Sequence, residues 1–215
     1  MAFFPLFVDL NDKTVLVIGC NQNISYQLST LIEFGAHVII VSSSVPQEIQ
    51  NLINSSNGKI EFVKKEIKPA DVYSLEYSPL IVIAASSDLE LNATVYEFYH
   101  EKHVAVEDLS DLQRCDFLFP AVIKNVDVVC GVSSSGKSAH VAHFVKELVA
   151  SSIPESIGAI NDRMEEVREI VKLSLPEANQ AKRNEAVKAV FDRLVSDDNQ
   201  TEDAEIDGMM ASFGM

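Results

Sequence analysis

Gly131-Val132-Ser133-Ser134-Ser135-Gly136-Lys137-Ser138 satisfies the phosphate-binding pattern GxxxxGK[ST], after an apolar run and before a helical stretch. Nucleotide hydrolysis at such a loop also needs parallel strands around it and an acid on another strand for Mg²⁺. Here only helical periodicity follows, and the preceding run reads as half of a hairpin. A serine-rich anion-binding turn at a helix start is the better reading, because free N–H groups there attract carboxylates as readily as phosphates. A second candidate is Gly19-Cys20-Asn21-Gln22-Asn23-Ile24, the turn after the first apolar run, where G-x-G-x-x-G would cradle a dinucleotide pyrophosphate. The first of its glycines is present. Asn21 can adopt a left-handed turn, but its side chain claims space the pyrophosphate would use. The second apolar run ends in Ser42, with no acid there for a ribose hydroxyl. His140 and His143 share a helical face without a third ligand in sequence, so no metal site is expected. Asp108, just beyond the fifth apolar run, is the acid best placed for chemistry; its alternative is a cap or turn residue. His100 and His103 flank that same run.

The elements that must hold these residues alternate along the first hundred positions. Apolar runs at 14–18, 37–41, 60–63, 80–85 and 103–106 read as buried strands, and amphipathic stretches at 25–34, 45–53 and 89–101 as helices. Gly35 is placed to stop the first helix. The pattern implies an α/β fold, a Rossmann-like doubly wound parallel sheet with right-handed crossovers. Its ligands belong at the carboxyl ends of the strands. After Asp108 the periodicity changes. Runs at 117–123 and 126–130, joined by Lys124-Asn125, read as a hairpin. Helices follow at 140–151, 155–173 and 179–195, punctuated by Pro154 and Pro176. The expected organisation is a Rossmann-like domain over 1–112, a β dimerisation segment over 113–150 and a C-terminal helical domain over 151–195. Two short strands need neighbours from a second copy, so a homodimer is expected.

The composition, 47% hydrophobic and 23% charged, excludes wholesale disorder. A net charge of −15 argues against a nucleic-acid partner. No apolar run reaches the ~20 residues that span a bilayer, and the first residues lack a basic leader, so no membrane partner is expected. Three unpatterned cysteines suit a reducing cytoplasm. Residues 196–215 carry six acids between Ser196 and Asp207 with no base among them, the signature of a disordered acidic tail.

Several segments, in this order, resemble the N-terminal module of the siroheme synthase family, whose members are precorrin-2 dehydrogenases and in some cases sirohydrochlorin ferrochelatases. They are Phe4-Pro5-Leu6-Phe7-Val8-Asp9-Leu10, Val15-Leu16-Val17-Ile18-Gly19, Phe34-Gly35-Ala36-His37-Val38, and Val82-Ile83-Ala84-Ala85-Ser86-Ser87-Asp88 with Asn92. Val104-Ala105-Val106-Glu107-Asp108, Cys115-Asp116-Phe117-Leu118-Phe119-Pro120-Ala121 and Ser133-Ser134-Ser135-Gly136-Lys137-Ser138 continue it. The resemblance covers about residues 3–195. It departs where the family reads Gly-Gly-Gly and this chain Gly19-Cys20-Asn21, and where Ile24, Tyr26-Gln27, Ala105 and Ala139 replace the family's Ala, Arg-Lys, Asn and Pro.

The resemblance implies NAD-dependent oxidation of precorrin-2 to sirohydrochlorin in siroheme biosynthesis, with Fe²⁺ as a further substrate if the chain also chelates. It makes Asp108 the catalytic residue. It also implies cofactor binding by Gly19, Cys20, Asn21, Gln22, Asn23, Ser42, Ala85 and Ser86, and tetrapyrrole binding by Ser133, Ser134, Gly136, Lys137 and Ser138. A polycarboxylate substrate requires cations, for which Arg114, Lys124, Lys137 and Lys146 are candidates. The alternative is a non-catalytic or chelatase-only relative that binds a tetrapyrrole or a partner enzyme without NAD. A nucleotide-hydrolysing loop protein is the third reading.

Overall fold

The computed structural model describes residues 3–175 and 179–214. Five strands form one parallel sheet: β1 (Thr14–Ile18), β2 (His37–Ser42), β3 (Ile60–Lys64), β4 (Ile81–Ala84) and β5 (Ala105–Asp108), in the order β3-β2-β1-β4-β5. The chain winds outward from β1 to β3, then crosses back to β4, so the order reverses between β1 and β4, the place where such sheets bind ligands. The helices between are α1 (Ser25–Glu33), α2 (Gln47–Ser55) and α3 (Leu89–Glu101). Register places Val17 opposite Ile40 and Ile83, and Ala84 opposite Asp108. Alternation along β1 sends Val15 and Val17 to one face, against Ile24, Leu28 and Leu31 of the α1 region. It sends Leu16 and Ile18 to the other face, with Leu91, Val95 and Tyr99 of α3. Near-continuous apolar runs are what a sheet covered on both faces requires.

The fifth strand begins and ends two residues later than expected. His103 has φ +59 and forms the turn before it, while Asp108 is the last strand residue rather than the residue beyond. The hairpin is formed, as β6 (Ala121–Asn125) and β7 (Val128–Val132), antiparallel. Its turn is Val126-Asp127 rather than Lys124-Asn125, because the ladder runs through the Asn125–Val128 pair and Val126 takes φ +53.

By internal contacts the chain divides into two units, one holding residues 3–120 and 133–139, the other 121–132 and 140–214. This replaces the expected boundaries at 112 and 150, since the hairpin goes with the helices. In the second unit come α4 (Ala139–Ser152), α5 (Ile157–Ser174), α6 (Gln180–Ser196) and α7 (Asp203–Ser212). Gly158 of α5 lies so close to the hairpin turn that a Cβ would stand 2.5 Å from Asn125 Oδ1, and Asn125 Nδ2 donates to the Glu155 carbonyl. No residue of α4 is buried.

The expected disordered tail over 196–215 is corrected. α7 buries Ile206 and Met210 against Ile160, Val167, Val171, Val190 and Leu194. The bases missing from the tail itself come from neighbouring helices. The Arg163 guanidinium on α5 donates to Asn199 Oδ1 at 2.9 Å, to the Thr201 carbonyl at 2.8 Å and to Asp203 at 2.8 Å. Arg193 on α6 donates to Glu205 at 2.8 Å. Thr201 hydrogen-bonds Asp197 and, with Arg193, holds that carboxyl below its usual range. A local count of charge could not see partners brought by the fold.

Candidate active site

The carboxyl edge of the sheet gathers most of the expected cofactor residues. Gly19 follows β1 with φ +80, and a Cβ there would stand 2.5 Å from the Ser86 backbone. The glycine therefore lets the turns after β1 and β4 touch, the close approach for which this position needs no side chain. Ala85 is fully buried and its N–H donates to the Ile18 carbonyl. Asn21, a residue able to take a left-handed turn, does not take one. It is extended, φ −108 and ψ 172, and its Oδ1 accepts the Asn23 N–H at 2.9 Å. It thereby caps the short turn Gln22–Ile24 that leads into α1, satisfying a donor a phosphate would otherwise take. Ser42 turns its hydroxyl to the Ser44 carbonyl at 2.8 Å. Cys20 is half-buried, and burial pushes its thiol up to about 11.

Asp108 closes β5 with its side chain fully enclosed. Oδ1 accepts the Ser110 N–H at 2.8 Å and its hydroxyl at 2.5 Å. Oδ2 accepts Arg114 Nε at 2.7 Å, and Arg114 also pairs with Asp111 at 3.3 Å. Two donors fill Oδ1, while Oδ2 retains one lone pair beside the guanidinium. Arg114 is 29% exposed, whereas the carboxylate it pairs with is fully enclosed. Of the expected cations, this one stands at the acid.

The turn 133–138 belongs to the same unit. Gly136, φ +74, lies against Leu112, two residues before Arg114, with only 2.5 Å to spare for a Cβ. Three N–H groups of the turn, expected to be free, are bonded within it. Ser133 Oγ accepts the Ser135 N–H, Ser134 Oγ accepts the Ser138 N–H, and the Ser134 carbonyl accepts the Lys137 N–H. The turn is thus partly self-bonded, and Gly136 serves the close approach to Leu112. β7, which precedes it, is antiparallel to β6, so the nucleotide-hydrolysis motif lacks its parallel sheet. His143 pairs with Glu147 at 3.6 Å on exposed α4, and no group of three metal-ligating side chains occurs among the described residues.

Sequence reasoning assigned no role to Asn92 or Ser110. Glu107 is the acid next to Asp108 on β5. Alternation along the strand sends it to the opposite face, where Oε1 accepts the Phe119 N–H at 2.8 Å and Oε2 has no hydrogen-bond partner. Burial pushes its carboxyl from the ordinary 4.5 up to about 7. The folded state therefore holds this proton where the unfolded state has lost it. The stability this provides is complete below pH 4.5 and lost as pH rises through about 7. Such a displacement amounts to about 3 kcal/mol. Chemical denaturation across that interval is expected to show stability falling by a figure of that order, and Glu107→Gln is expected to flatten the slope.

A doubly wound sheet with touching turns at its switch point and a buried acid on the adjoining strand defines a Rossmann-type nucleotide-binding domain. Residues 6–121 match the family described as "Putative NAD(P)-binding", and the chain belongs to that family. Within it the relatives are siroheme synthases. The Zymomonas mobilis siroheme synthase is 28% identical over 82% of this chain, and that of Actinobacillus pleuropneumoniae 30% over 85%. The chain spans 36% of the length of each. A solved precorrin-2 dehydrogenase, SirC, shares the fold with TM-score 0.70 and 17% identity, covering 99% of both chains.

Proposed function

We propose that this chain catalyses NAD⁺-dependent oxidation of precorrin-2 to sirohydrochlorin, with Asp108 as its proton acceptor. The observation that carries the proposal is the Asp108 carboxylate, held at the end of β5 within hydrogen-bonded reach of the Ser86 turn, in a chain of the NAD(P)-binding family whose relatives are siroheme synthases. The residues present fit a dinucleotide. Gly19 brings the turns after β1 and β4 into contact along one edge, and Ala85 and Ser86 would hold its nicotinamide end. Asn21 competes for one amide, so affinity is set low, and Asn21→Gly is expected to tighten NAD⁺ binding severalfold by calorimetry.

Bound there, NAD⁺ would supply the hydride acceptor. The protein's own part is proton transfer and orientation. Arg114 would leave Asp108 for a carboxylate of the tetrapyrrole, a bidentate exchange its guanidinium suits, and so uncover the Oδ2 lone pair. Asp108 then takes the proton lost as the macrocycle is oxidised. The same carboxylate would accept pyrrole protons if Fe²⁺ is also inserted. The test is anaerobic incubation with precorrin-2 and NAD⁺. NADH and sirohydrochlorin appearing in equal amounts support the proposal, and no NADH overturns it.

The reading includes a cytoplasmic homodimer. The two-stranded hairpin has no third strand among the described residues, and Val141, Phe144, Val145 and Leu148 form an exposed apolar stripe on α4. Phe144→Glu is expected to convert a dimer into a monomer in light scattering at micromolar concentration, with a wild-type monomer as the contrary result. No helix among the described residues is long and apolar enough to cross a membrane.

A further inference from the structure

Asn92 is 1% exposed in α3, a place where an apolar residue would serve packing better. Its amide is instead fully employed by two loops. Oδ1 accepts the Ser86 N–H at 3.0 Å, and Nδ2 donates to the Ser86 carbonyl at 3.0 Å and to Ser110 Oγ at 3.1 Å. Ser110 Oγ donates onward to Asp108 Oδ1. From Asn92 Nδ2 through Ser110 Oγ to Asp108 Oδ1 the donations run in one direction, and bonds in such a chain polarise one another. At its far end Ser86 stands against Gly19.

We propose that Asn92 and Ser110 are positioning residues that set the Asp108 carboxylate and tie its orientation to the Ser86 turn. The inference rests on the reading of Asp108 as the site's proton acceptor. Ser110 keeps Oδ1 occupied, which leaves proton transfer to Oδ2, and Asn92 keeps the Ser110 hydroxyl aimed. A small displacement of a catalytic group costs rate without costing binding.

The experiment compares Ser110→Ala, Ser110→Thr, Asn92→Asp, the double variant Asn92→Asp/Ser110→Ala, and Asp108→Asn in the full chain. Ser110→Ala is expected to lower kcat roughly tenfold while KM for both substrates stays within about twofold, and Ser110→Thr to regain most of the loss. Asn92→Asp keeps the acceptor for Ser86 but loses both donations, and is expected to lower kcat similarly. One relay breaks once, so the double variant should fall no more than about threefold below the weaker single. In the free protein, Asn92→Asp is expected to shift the carboxyl carbon resonance of Asp108, two hydrogen bonds away. Wild-type kcat in Ser110→Ala, losses that multiply in the double variant, or an unmoved Asp108 resonance would each overturn the relay. If Asp108→Asn is inactive while Ser110→Ala is not, the relay alone fails. If Asp108→Asn remains active, the reading of Asp108 fails and the relay with it.

Discussion

Asp108→Asn is expected to lower turnover of precorrin-2 by about 10²–10⁴, the usual cost of losing a positioned base. Asparagine preserves shape but has one acceptor oxygen, so it keeps the Ser110 contacts at Oδ1 and turns its NH₂ toward Arg114. The melting temperature should fall, though less than in Asp108→Ala. Asp108→Ala is a harsher change. It leaves the guanidinium with Asp111 alone as a carboxylate partner and empties an enclosed position, so the melting temperature should fall further. Comparing the two by kinetics and by thermal melting separates chemistry from stability. Glu107 cannot rescue either variant, because it faces the other side of β5 and already holds the Phe119 N–H. Turnover within about twofold of wild type in Asp108→Asn, far from the loss general-base removal brings, would remove Asp108 from the mechanism.

Truncation before Thr201 is expected to unfold the helical unit. It removes Ile206 and Met210 from the core, and each large aliphatic side chain lost costs about 2–5 kcal/mol. It also leaves Arg163 without two of its acceptors, the Thr201 carbonyl and the Asp203 carboxylate. Total stabilities of about 5–15 kcal/mol leave little margin for both losses. Helical circular dichroism should fall by more than the ten residues of α7 account for. Loss confined to α7, with an unchanged melting temperature, would restore the tail to a dispensable extension.

The parallel sheet was legible because strands buried on both faces leave unbroken apolar runs such as Val15-Leu16-Val17-Ile18, and helices between them leave a different period. Asp108 was legible by position, at the end of the fifth run. Its partners were less so. Ser110 at two residues' spacing is a local turn signal, but Asn92 lies eighteen residues from Ser110, a contact only the fold creates. The acids of the tail were misread for the same reason. Their bases, Arg163 and Arg193, are on α5 and α6. Self-bonding in the turn 133–138 was equally hidden, since the same serines that bind an anion can consume the amides that would do so.

The chain passes between its two units at 120/121, 132/133 and 139/140. Neither unit can therefore be excised by a single scission or exchanged as a cassette. A graft of the helical unit must carry the hairpin and interrupt the nucleotide-binding unit at Pro120, then return seven residues to it before α4. Nicking at one crossing leaves two covalent tethers. Recombination at any single one of these boundaries therefore leaves part of one unit joined to the other.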